Sequence, residues 1–298
     1  MKILLFGKNG QLGWELQRAL ASFDGLLCFD YPEVDLTKPD NLCQILAQVG
    51  KVDVIINAAA YTAVDQAENE PELARAINRD APALMAEEAK RMGAAFIHYS
   101  TDYVYDGKKN EAYIESDEPS PLSMYGLSKL EGDEAVQQVG CHSLILRTSW
   151  VYSMRGETFV KKVLRWARSQ TTLQIVDDQI SNPTWARALA QATVELLLMV
   201  KGQGMSWLIE RKGLYHLAGS GYVSRYEWAW EIIQNDPRKE EHLVQKILAA
   251  NTADFPTPAV RPLFSALSCD AFYQAFGFCL PSWRESLEMA LNNRVCGL

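Results

Sequence analysis

The sequence predicts an α/β protein with a doubly wound parallel sheet, followed by a smaller C-terminal α/β domain. Short apolar runs, each typical of a buried strand, alternate with helical patterns at least five times within residues 1–150. Small or polar residues follow these runs directly, where the carboxyl ends of parallel strands form a ligand-binding edge. A chain of 298 residues is long enough to fold into two unequal lobes.

The composition indicates an ordinary globular chain, with 48% hydrophobic and 22% charged residues. Its net charge of −8 and the lack of a Lys/Arg-rich tract disfavour nucleic acid as a partner. The apolar runs after Met1 and at 196–200 are too short for a signal peptide or a membrane span. We therefore expect a cytoplasmic protein. The six cysteines form no C-x-x-C pair, which disfavours disulfides and a bound metal.

The first predicted strand, Lys2–Phe6, runs directly into a glycine-rich turn with the spacing G-x-x-G-x-x-G. A helical pattern of leucines follows it. Glycines are required where a turn is tight and where the backbone approaches a pyrophosphate, which the first N–H groups of the helix then face. The sequence thus predicts a dinucleotide site. Its residues are Gly7, Asn9, Gly10, Gln11 and Leu12.

The second predicted strand, at 26–29, ends in Asp30, about 20 residues after Gly10. At this distance an acidic residue accepts a hydrogen bond from the adenosine 2′-hydroxyl, which favours NADH. Lys8 lies inside the glycine turn and can instead neutralise the 2′-phosphate of NADPH. The residues therefore leave the choice of cofactor open.

The loop at Asp35 and Leu36 suits the adenine edge, although Asp35 can equally cap the helix that begins near Pro39. After the third predicted strand, at 52–56, small residues either let the cofactor lie against the backbone or simply pack closely. A helix is predicted at 71–91, where Asn78 either bonds a neighbouring strand loop or faces solvent. The residues predicted to border the cofactor after the third strand are Ala58, Ala59, Ala60 and Tyr61.

A candidate catalytic pair follows the fourth predicted strand, which ends at 98–103. Tyr125 and Lys129 lie four residues apart at the start of a helical stretch, on one helix face. A phenol beside an ammonium is a suitable proton donor, because the ammonium stabilises the phenolate that remains. Ser100 or Thr101, at the strand end, can hydrogen-bond the oxygen that receives the proton. Together with a dinucleotide, this set can reduce a carbonyl group.

The second half of the chain alternates less regularly. Trp150 follows a fifth predicted strand at 143–147 and either packs on a ligand or belongs to the core. Arg261 lies in a Pro-rich extended stretch, suited to an anionic phosphate or to a plain surface turn. The remaining elements are helices at 159–167, 186–200, 225–234 and 281–293, a strand at 214–217 and a polar linker at 201–213.

The motifs resemble those of the extended short-chain dehydrogenase/reductases, and most closely the reductases of dTDP-4-keto-6-deoxy sugars. The resemblance covers almost the whole chain. It is carried by Gly7-x-x-Gly10-x-x-Gly13, Asn57 to Asp65, Ser100 to Tyr105, Tyr125-x-x-x-Lys129, Arg147 to Tyr152, Asn182 to Thr184 and Pro256 to Pro262. It implies a Rossmann-type domain at 1–150 plus about 184–217, and a substrate domain at about 151–183 and 218–298.

The resemblance also implies hydride transfer from NADPH or NADH to C4 of the dTDP-sugar, giving dTDP-L-rhamnose. Thr101, Tyr125 and Lys129 would form the catalytic triad, and Ser100, Tyr125 and Lys129 would also contact the cofactor. Asp102 and Trp150 would face the sugar, and Arg261 would contact the nucleotide-sugar. An epimerase or dehydratase that retains its cofactor, and a non-catalytic regulatory subunit, are the alternatives.

Two positions depart from the family pattern. Related dehydratases carry a glutamate where this chain has Tyr103, so dehydration lacks its base. Some of the reductases form magnesium-bridged dimers from an acidic first helix and an acidic helix after a Pro-Thr pair. Glu15 is present here, but Arg187 stands in the later helix. A cation in that place argues against Mg²⁺, and the chain is expected to be a monomer or a homodimer.

Overall fold

The computed structural model describes residues 1–293 and contains a central parallel sheet with smaller strand pairs beside it. The strands are β1 (Lys2–Phe6), β2 (Gly25–Phe29), β3 (Val54–Asn57), β4 (Ala95–Thr101), β5 (His142–Thr148), β6 (Val151–Tyr152), β7 (Thr172–Val176), β8 (Ile180–Ser181), β9 (Thr184–Trp185), β10 (Gly213–His216), β11 (Val223–Ser224) and β12 (Lys246–Ala250).

Helices connect these strands and cover the central sheet. They are α1 (Gln11–Ala19), α2 (Pro39–Val49), α3 (Val64–Ala67), α4 (Pro71–Arg75), α5 (Ala81–Met92), α6 (Met124–Val139), α7 (Phe159–Ala167), α8 (Ala186–Gln203), α9 (Met205–Ile209), α10 (Arg225–Gln234), α11 (Asp270–Phe276) and α12 (Trp283–Asn293). A π-helical turn at Ala76–Asp80 joins α4 to α5, and 3₁₀ turns lie at Asp102–Val104, Lys239–Glu241 and Thr252–Asp254.

The central sheet has the strand order β2-β1-β3-β4-β5-β10, and every pair in it is parallel. The chain moves outward from β1 to β2 and then returns past β1 to β3. In a doubly wound sheet, ligands bind in the crevice at this reversal, outside the carboxyl ends of the strands. The loops after β1 and β3 therefore flank the expected cofactor crevice.

The central strands are apolar because helices cover both faces of the sheet. Leu4, Leu5 and Phe6 of β1 and Ile55 and Ile56 of β3 are fully buried. Burying each such side chain stabilises the fold by about 1.5–3 kcal/mol. This packing holds the strand ends rigidly at the crevice.

The second half of the chain builds a smaller lobe beside the β4 and β5 ends. In it β7 pairs with β12 in parallel, β8 pairs with β11 antiparallel, and α7 packs on α10. The chain also returns to the larger lobe, because α8 packs on α1 and β10 completes the sheet. The predicted doubly wound fold with a smaller C-terminal part is confirmed, while the proposed domain boundaries stay a prediction.

Most predicted elements agree with the structure to within a few residues, including α7 and α10 at both ends. In the second half of the chain, one expectation was wrong and one pair of strands was missed. The predicted linker at 201–213 contains the last turn of α8, all of α9 and the start of β10. The paired strands β7 and β12 were not predicted, although β7 alternates buried and exposed residues as an edge strand does.

Candidate active site

The glycine turn after β1 is shaped by close backbone approach. Gly7 has a φ of +89°, and a Cβ atom there would lie 2.5 Å from the backbone nitrogen of Ala59. A Cβ atom on Gly13 would lie 1.9 Å from the carbonyl oxygen of Gly7. Both positions therefore require glycine. The turn brings the start of α1 against the segment after β3.

The residues present fit a dinucleotide in this crevice. Helix α1 begins after Gly10 without a side-chain cap, so its first N–H groups are free to bind an anion. Oε1 of Gln11 is buried and has no hydrogen-bond partner among residues 1–293. A buried amide oxygen without a partner is costly, and a bound ligand would satisfy it. Asn9 is exposed at the rim, and Leu12 packs in the core.

The two residues that bear on cofactor choice, Asp30 and Lys8, both already have partners within the protein. Asp30 accepts hydrogen bonds from the backbone N–H groups of Asn9 and Tyr31, each at 2.8 Å. Lys8 forms a 2.7 Å ion pair with Glu33. Asp30 thus closes the glycine turn, while Glu33 compensates the charge of Lys8. This geometry keeps the choice between NADH and NADPH open.

The loop before α2 shows that Asp35 does not cap this helix. Lys38 is the residue before the helix, and it provides no side-chain cap. Asp35 instead accepts hydrogen bonds from the backbone N–H and the hydroxyl of Thr37, within its own loop. The N-cap interpretation of Asp35 was therefore wrong. Leu36 packs against the core under β2, and contact of this loop with adenine stays a prediction.

The segment after β3 is fixed by buried amides. Ala58, Ala59, Ala60 and Tyr61 are half-buried at the crevice. Asn78 is fully buried in the π-helical turn, and it binds the N–H of Tyr61 at 2.9 Å and its carbonyl at 3.1 Å. The interpretation that Asn78 supports a strand loop is confirmed.

The proton-donor pair lies on α6, which packs tightly beside the end of β4. Ser123 caps this helix, and a Cβ atom on Gly126 would lie 2.2 Å from the carbonyl oxygen of Tyr103. Tyr125 is half-buried, and its ring meets that of Tyr103 edge to face at 5.7 Å. Burial raises the pKa of Tyr125, and a hydrogen bond with Thr101 lowers it in part. Tyr125 therefore carries its proton at neutral pH.

Lys129 lies one turn further along α6 and is 1% exposed. Its ammonium donates a 2.8 Å hydrogen bond to the carbonyl of Tyr99 and lies 3.3 Å from Nε2 of His98. Burial lowers the pKa of Lys129 to about 8, and the charge of Asp133 opposes that shift. Lys129 is thus anchored to β4 through the Tyr99 carbonyl, one turn of α6 beyond Tyr125.

The hydroxyls expected at the end of β4 are buried. Thr101 donates to Oδ1 of Asp102 at 3.2 Å and accepts the N–H of Tyr103. Asp102 is 2% exposed, and its other oxygen accepts hydroxyls from Ser181 and Ser265. Burial raises the pKa of Asp102 to about 6. Asp102 therefore joins the triad to the smaller lobe, and direct contact with a sugar stays a prediction.

A cavity of about 890 Å³ opens in the smaller lobe. Arg225 lies on its wall, with its guanidinium 3.7 Å from the ring centre of Trp150, which in turn stacks on Trp228 at 5.6 Å. Trp150 is thus half-buried, with one side against the core. The side chains that give the cavity its character are Phe159, Lys162, Trp166, Gln179, Arg225 and Arg261.

Arg261 reaches this cavity from the Pro-rich stretch and forms a 2.7 Å ion pair with Asp65, which lies in the larger lobe. Sequence inspection missed Lys162, Trp166 and Arg225. Phe159, Lys162 and Trp166 follow at helical spacing along α7, and this mixture of aromatic and cationic residues on one face was the available signal.

The place expected for a bridging metal contains an ion pair instead. Arg187 of α8 donates a 3.1 Å hydrogen bond to Glu15 of α1, which is buried. A guanidinium cannot ligate a metal, and it neutralises the carboxylate beside it, so these residues do not fit Mg²⁺. Within residues 1–293 no group of three potential ligand side chains is close enough to hold a metal.

The fold and the site together define a class of protein. A doubly wound parallel sheet with a glycine turn at its reversal, and a Tyr–Lys pair beside the fourth strand, are those of a nucleotide-sugar short-chain dehydrogenase/reductase. The family model described as the RmlD substrate binding domain matches residues 1–296.

Individual relatives identify the family more precisely. The dTDP-4-dehydrorhamnose reductase of Burkholderia thailandensis is 39% identical over 296 residues, covering 98% of this chain and 99% of that protein. A crystallised dTDP-4-dehydrorhamnose reductase from Clostridium acetobutylicum has a TM-score of 0.89 at 33% identity, covering 99% and 100%. One from Bacillus anthracis, in complex with NADP, has a TM-score of 0.87 at 32% identity, covering 98% and 100%. The chain belongs to the dTDP-4-dehydrorhamnose reductase family.

Proposed function

We propose that this protein reduces the 4-keto group of dTDP-4-dehydro-L-rhamnose to give dTDP-L-rhamnose, using NADPH or NADH. The observation that carries the proposal is protonated Tyr125 at the start of α6, which meets Thr101 at the end of β4 and the ring of Tyr103. Tyr103 in turn lies near Arg225 and Arg261 of the cavity. Membership of the family supports the substrate, and the NADP complex of the Bacillus anthracis relative supports the cofactor.

The reduction needs a hydride at C4 and a proton at the C4 oxygen. The nicotinamide supplies the hydride when bound. Tyr125 donates its hydroxyl proton to the oxygen, becoming a phenolate, and later recovers a proton from solvent. Thr101 orients the phenol through its hydroxyl. The ammonium of Lys129, one turn further along α6, would stabilise the phenolate. A general acid of this kind contributes roughly 10²–10⁴ to the rate.

The cavity of the smaller lobe is suited to the nucleotide part of the substrate. Lys162, Arg225 and Arg261 supply positive charge for a diphosphate, and burial lowers the pKa of Arg225 only to about 10, so it stays charged. Phe159 and Trp166 offer flat apolar surface to a base. We therefore assign this cavity to the dTDP group.

Dehydration is disfavoured by the environment of Tyr103, which occupies the place of the glutamate base in related dehydratases. Its pKa is raised by burial, and the nearby positive charges of Arg225 and Arg261 oppose this only in part. A neutral phenol cannot take a proton from the sugar ring at neutral pH. Tyr103 instead packs against the ring of Tyr125.

We further propose a division into an NAD(P)-binding domain, at 1–150 plus about 184–217, and a substrate domain formed by the rest. The Glu15–Arg187 pair supports a reaction without Mg²⁺, by a monomer or a homodimer. Within the described residues no helix is long and apolar enough to cross a bilayer. The cytoplasm remains the proposed location, and nucleic acid is not a proposed partner.

The test is the absorbance of reduced nicotinamide during incubation with dTDP-4-dehydro-L-rhamnose generated in place. NADPH and NADH are compared, each with EDTA and with added magnesium. A substrate-dependent fall of absorbance, equal in EDTA and magnesium, is expected. Bound NAD that is never consumed would instead favour an epimerase or dehydratase. No oxidation, with the protein associated with a larger catalytic chain, would favour a regulatory subunit.

A further inference from the structure

Three polar residues follow one another along the inner face of α6, at a spacing of four residues. Tyr125 is half-buried at the crevice, Lys129 is buried one turn further, and Asp133 is buried another turn beyond. On the proposed function, Tyr125 and Lys129 are catalytic and Asp133 has no role. We propose that Asp133 is a positioning residue that keeps Lys129 charged and in place while Tyr125 donates its proton.

The two oxygens of Asp133 are held differently. Its Oδ2 accepts a 3.1 Å hydrogen bond from Nε of Arg147, and Nη1 of Arg147 donates to the Tyr105 hydroxyl at 2.9 Å. Oδ1 is buried and accepts no hydrogen bond of ordinary geometry among residues 1–293, but lies 4.0 Å from Nε2 of His98. Leaving a carboxylate oxygen buried in this way is costly. Burial raises the pKa of Asp133, whereas the charges of Arg147 and Lys129 and the hydroxyl of Ser100 lower it. We take the carboxyl as the anion that faces His98 and Lys129.

The hydrogen bonds of His98 make such a charge necessary. Oδ1 of Asn57 accepts the N–H of Ala59, so the amide nitrogen of Asn57 donates to Nδ1 of His98, at 3.1 Å. His98 is neutral, because burial and Lys129 lower its pKa well below 6.5. By this assignment of the hydrogen-bond network, Nε2 carries the hydrogen and faces the lysine nitrogen at 3.3 Å. A donor in that position favours a neutral amine.

The protonation state of Lys129 is therefore set by opposing influences. Burial and the Nε2–H group of His98 favour the neutral amine, whereas Asp133 favours the ammonium. Among the described residues, the titratable and charged groups that act on Lys129 are Asp133 of α6, His98 of β4 and, beyond Asp133, Arg147 of β5. Tyr125 lies one turn before Lys129 on the same helix. An opposite charge one helical turn away raises the pKa of a buried amine, so its removal lowers that pKa.

The experiment compares Asp133→Asn with Glu134→Gln, which removes one negative charge from the exposed face of the same helix. Lysines are labelled with ¹³C at Cε, and the Lys129 signal is identified by its loss in Lys129→Arg. We expect a wild-type titration midpoint near 8 and a midpoint lower by about one pH unit or more in Asp133→Asn. Glu134→Gln should titrate as the wild type does.

Turnover gives a second readout that a merely structural role would not move. The alkaline limb of kcat should shift to lower pH in Asp133→Asn by the same amount as the NMR midpoint. KM for the dTDP-sugar should stay within about twofold, because Asp133 does not line the cavity. Asp133→Glu, which keeps the charge, should restore most of the limb.

Asp133→Asn leaves the charge of Arg147 buried without its partner and can destabilise the fold. Asp133→Asn/Arg147→Gln removes both charges, and the midpoint should fall in this variant also. An unchanged midpoint in either folded variant, or a wild-type midpoint near the ordinary lysine value of about 10.4, would overturn the proposal. A wild type without turnover would refute the proposed function alone, because the NMR midpoints need no substrate.

Discussion

The cofactor crevice and the arginine-lined cavity are built in different ways. Each wall of the crevice is a strand followed by a turn and a helix, so its residues are near neighbours in sequence. The cavity combines α7, β7, the start of α10 and the 252–261 stretch, which are separated by dozens of residues. Motifs can therefore identify the crevice, whereas the cavity exists only after folding.

The two regions also hold their charges differently. Lys129 is buried away from solvent, and we propose that its positive charge depends on the buried carboxylate of Asp133. Arg225 pairs with no carboxylate among the described residues, and the rings of Trp150 and Phe159 hold its guanidinium instead. An unpaired guanidinium on aromatic rings remains available to an anionic ligand. The crevice therefore protects a proton transfer, and the cavity presents positive charge.

The largest expected effect concerns the crevice. Tyr125→Phe removes the proton donor and little else, so kcat should fall by roughly 10²–10⁴ while the fold persists. Absorbance of reduced nicotinamide measures turnover, and fluorescence titration should show that the cofactor still binds. Unchanged turnover would end the assignment of Tyr125 and remove the chemical contrast between the two regions.

Asp102→Asn tests whether the buried carboxyl that links the end of β4 to the smaller lobe titrates as proposed. The folded pKa of about 6 lies above that of an unfolded aspartate, so the folded state binds the extra proton between about pH 4 and 6. Wild-type stability should therefore fall as pH rises through this window, by up to about 3 kcal/mol. Urea unfolding at pH 4.5 and 7.5 should show a smaller fall in Asp102→Asn. Equal falls would mean that the carboxyl does not titrate there.

Arg225→Gln should affect the cavity alone. Loss of a charge-assisted contact of roughly 1.5–2.5 kcal/mol would raise KM for the dTDP-sugar about 10–70-fold. The dissociation constant of NADPH should not change. Arg165→Gln, on the exposed side of α7, is the matched control. Equal effects of both variants would show that overall charge, rather than this cavity, attracts the substrate.

The smallest expected effect concerns cofactor choice. Glu33→Gln frees Lys8 from an exposed ion pair, so the ratio of kcat/KM for NADPH to that for NADH should rise about two- to fivefold. Lys8→Met should lower the same ratio. Steady-state kinetics with both cofactors measures it. If the ratio changes in neither variant, the 2′-position of the cofactor's adenosine ribose does not lie near Lys8.

Local rules explain why so much of the larger lobe could be predicted. Apolar runs identified all five of its early strands, and the four-residue spacing placed Tyr125 and Lys129 on one helix face. These properties depend on residues within one or two helical turns of each other. The glycine spacing was equally informative, since the clash of a Cβ atom at Gly7 or Gly13 is a local constraint.

By itself the sequence therefore determined the fold class, the family, the crevice and the Tyr–Lys pair. Only the tertiary structure decided which groups surround them. It paired β12 with β7, about 70 residues away, turned Asp102 toward Ser181 and Ser265, and placed Asp133 beside Lys129 and Arg147. Burial, and with it the pKa of a lysine or an aspartate, depends on atoms from distant segments, so no local pattern can supply it.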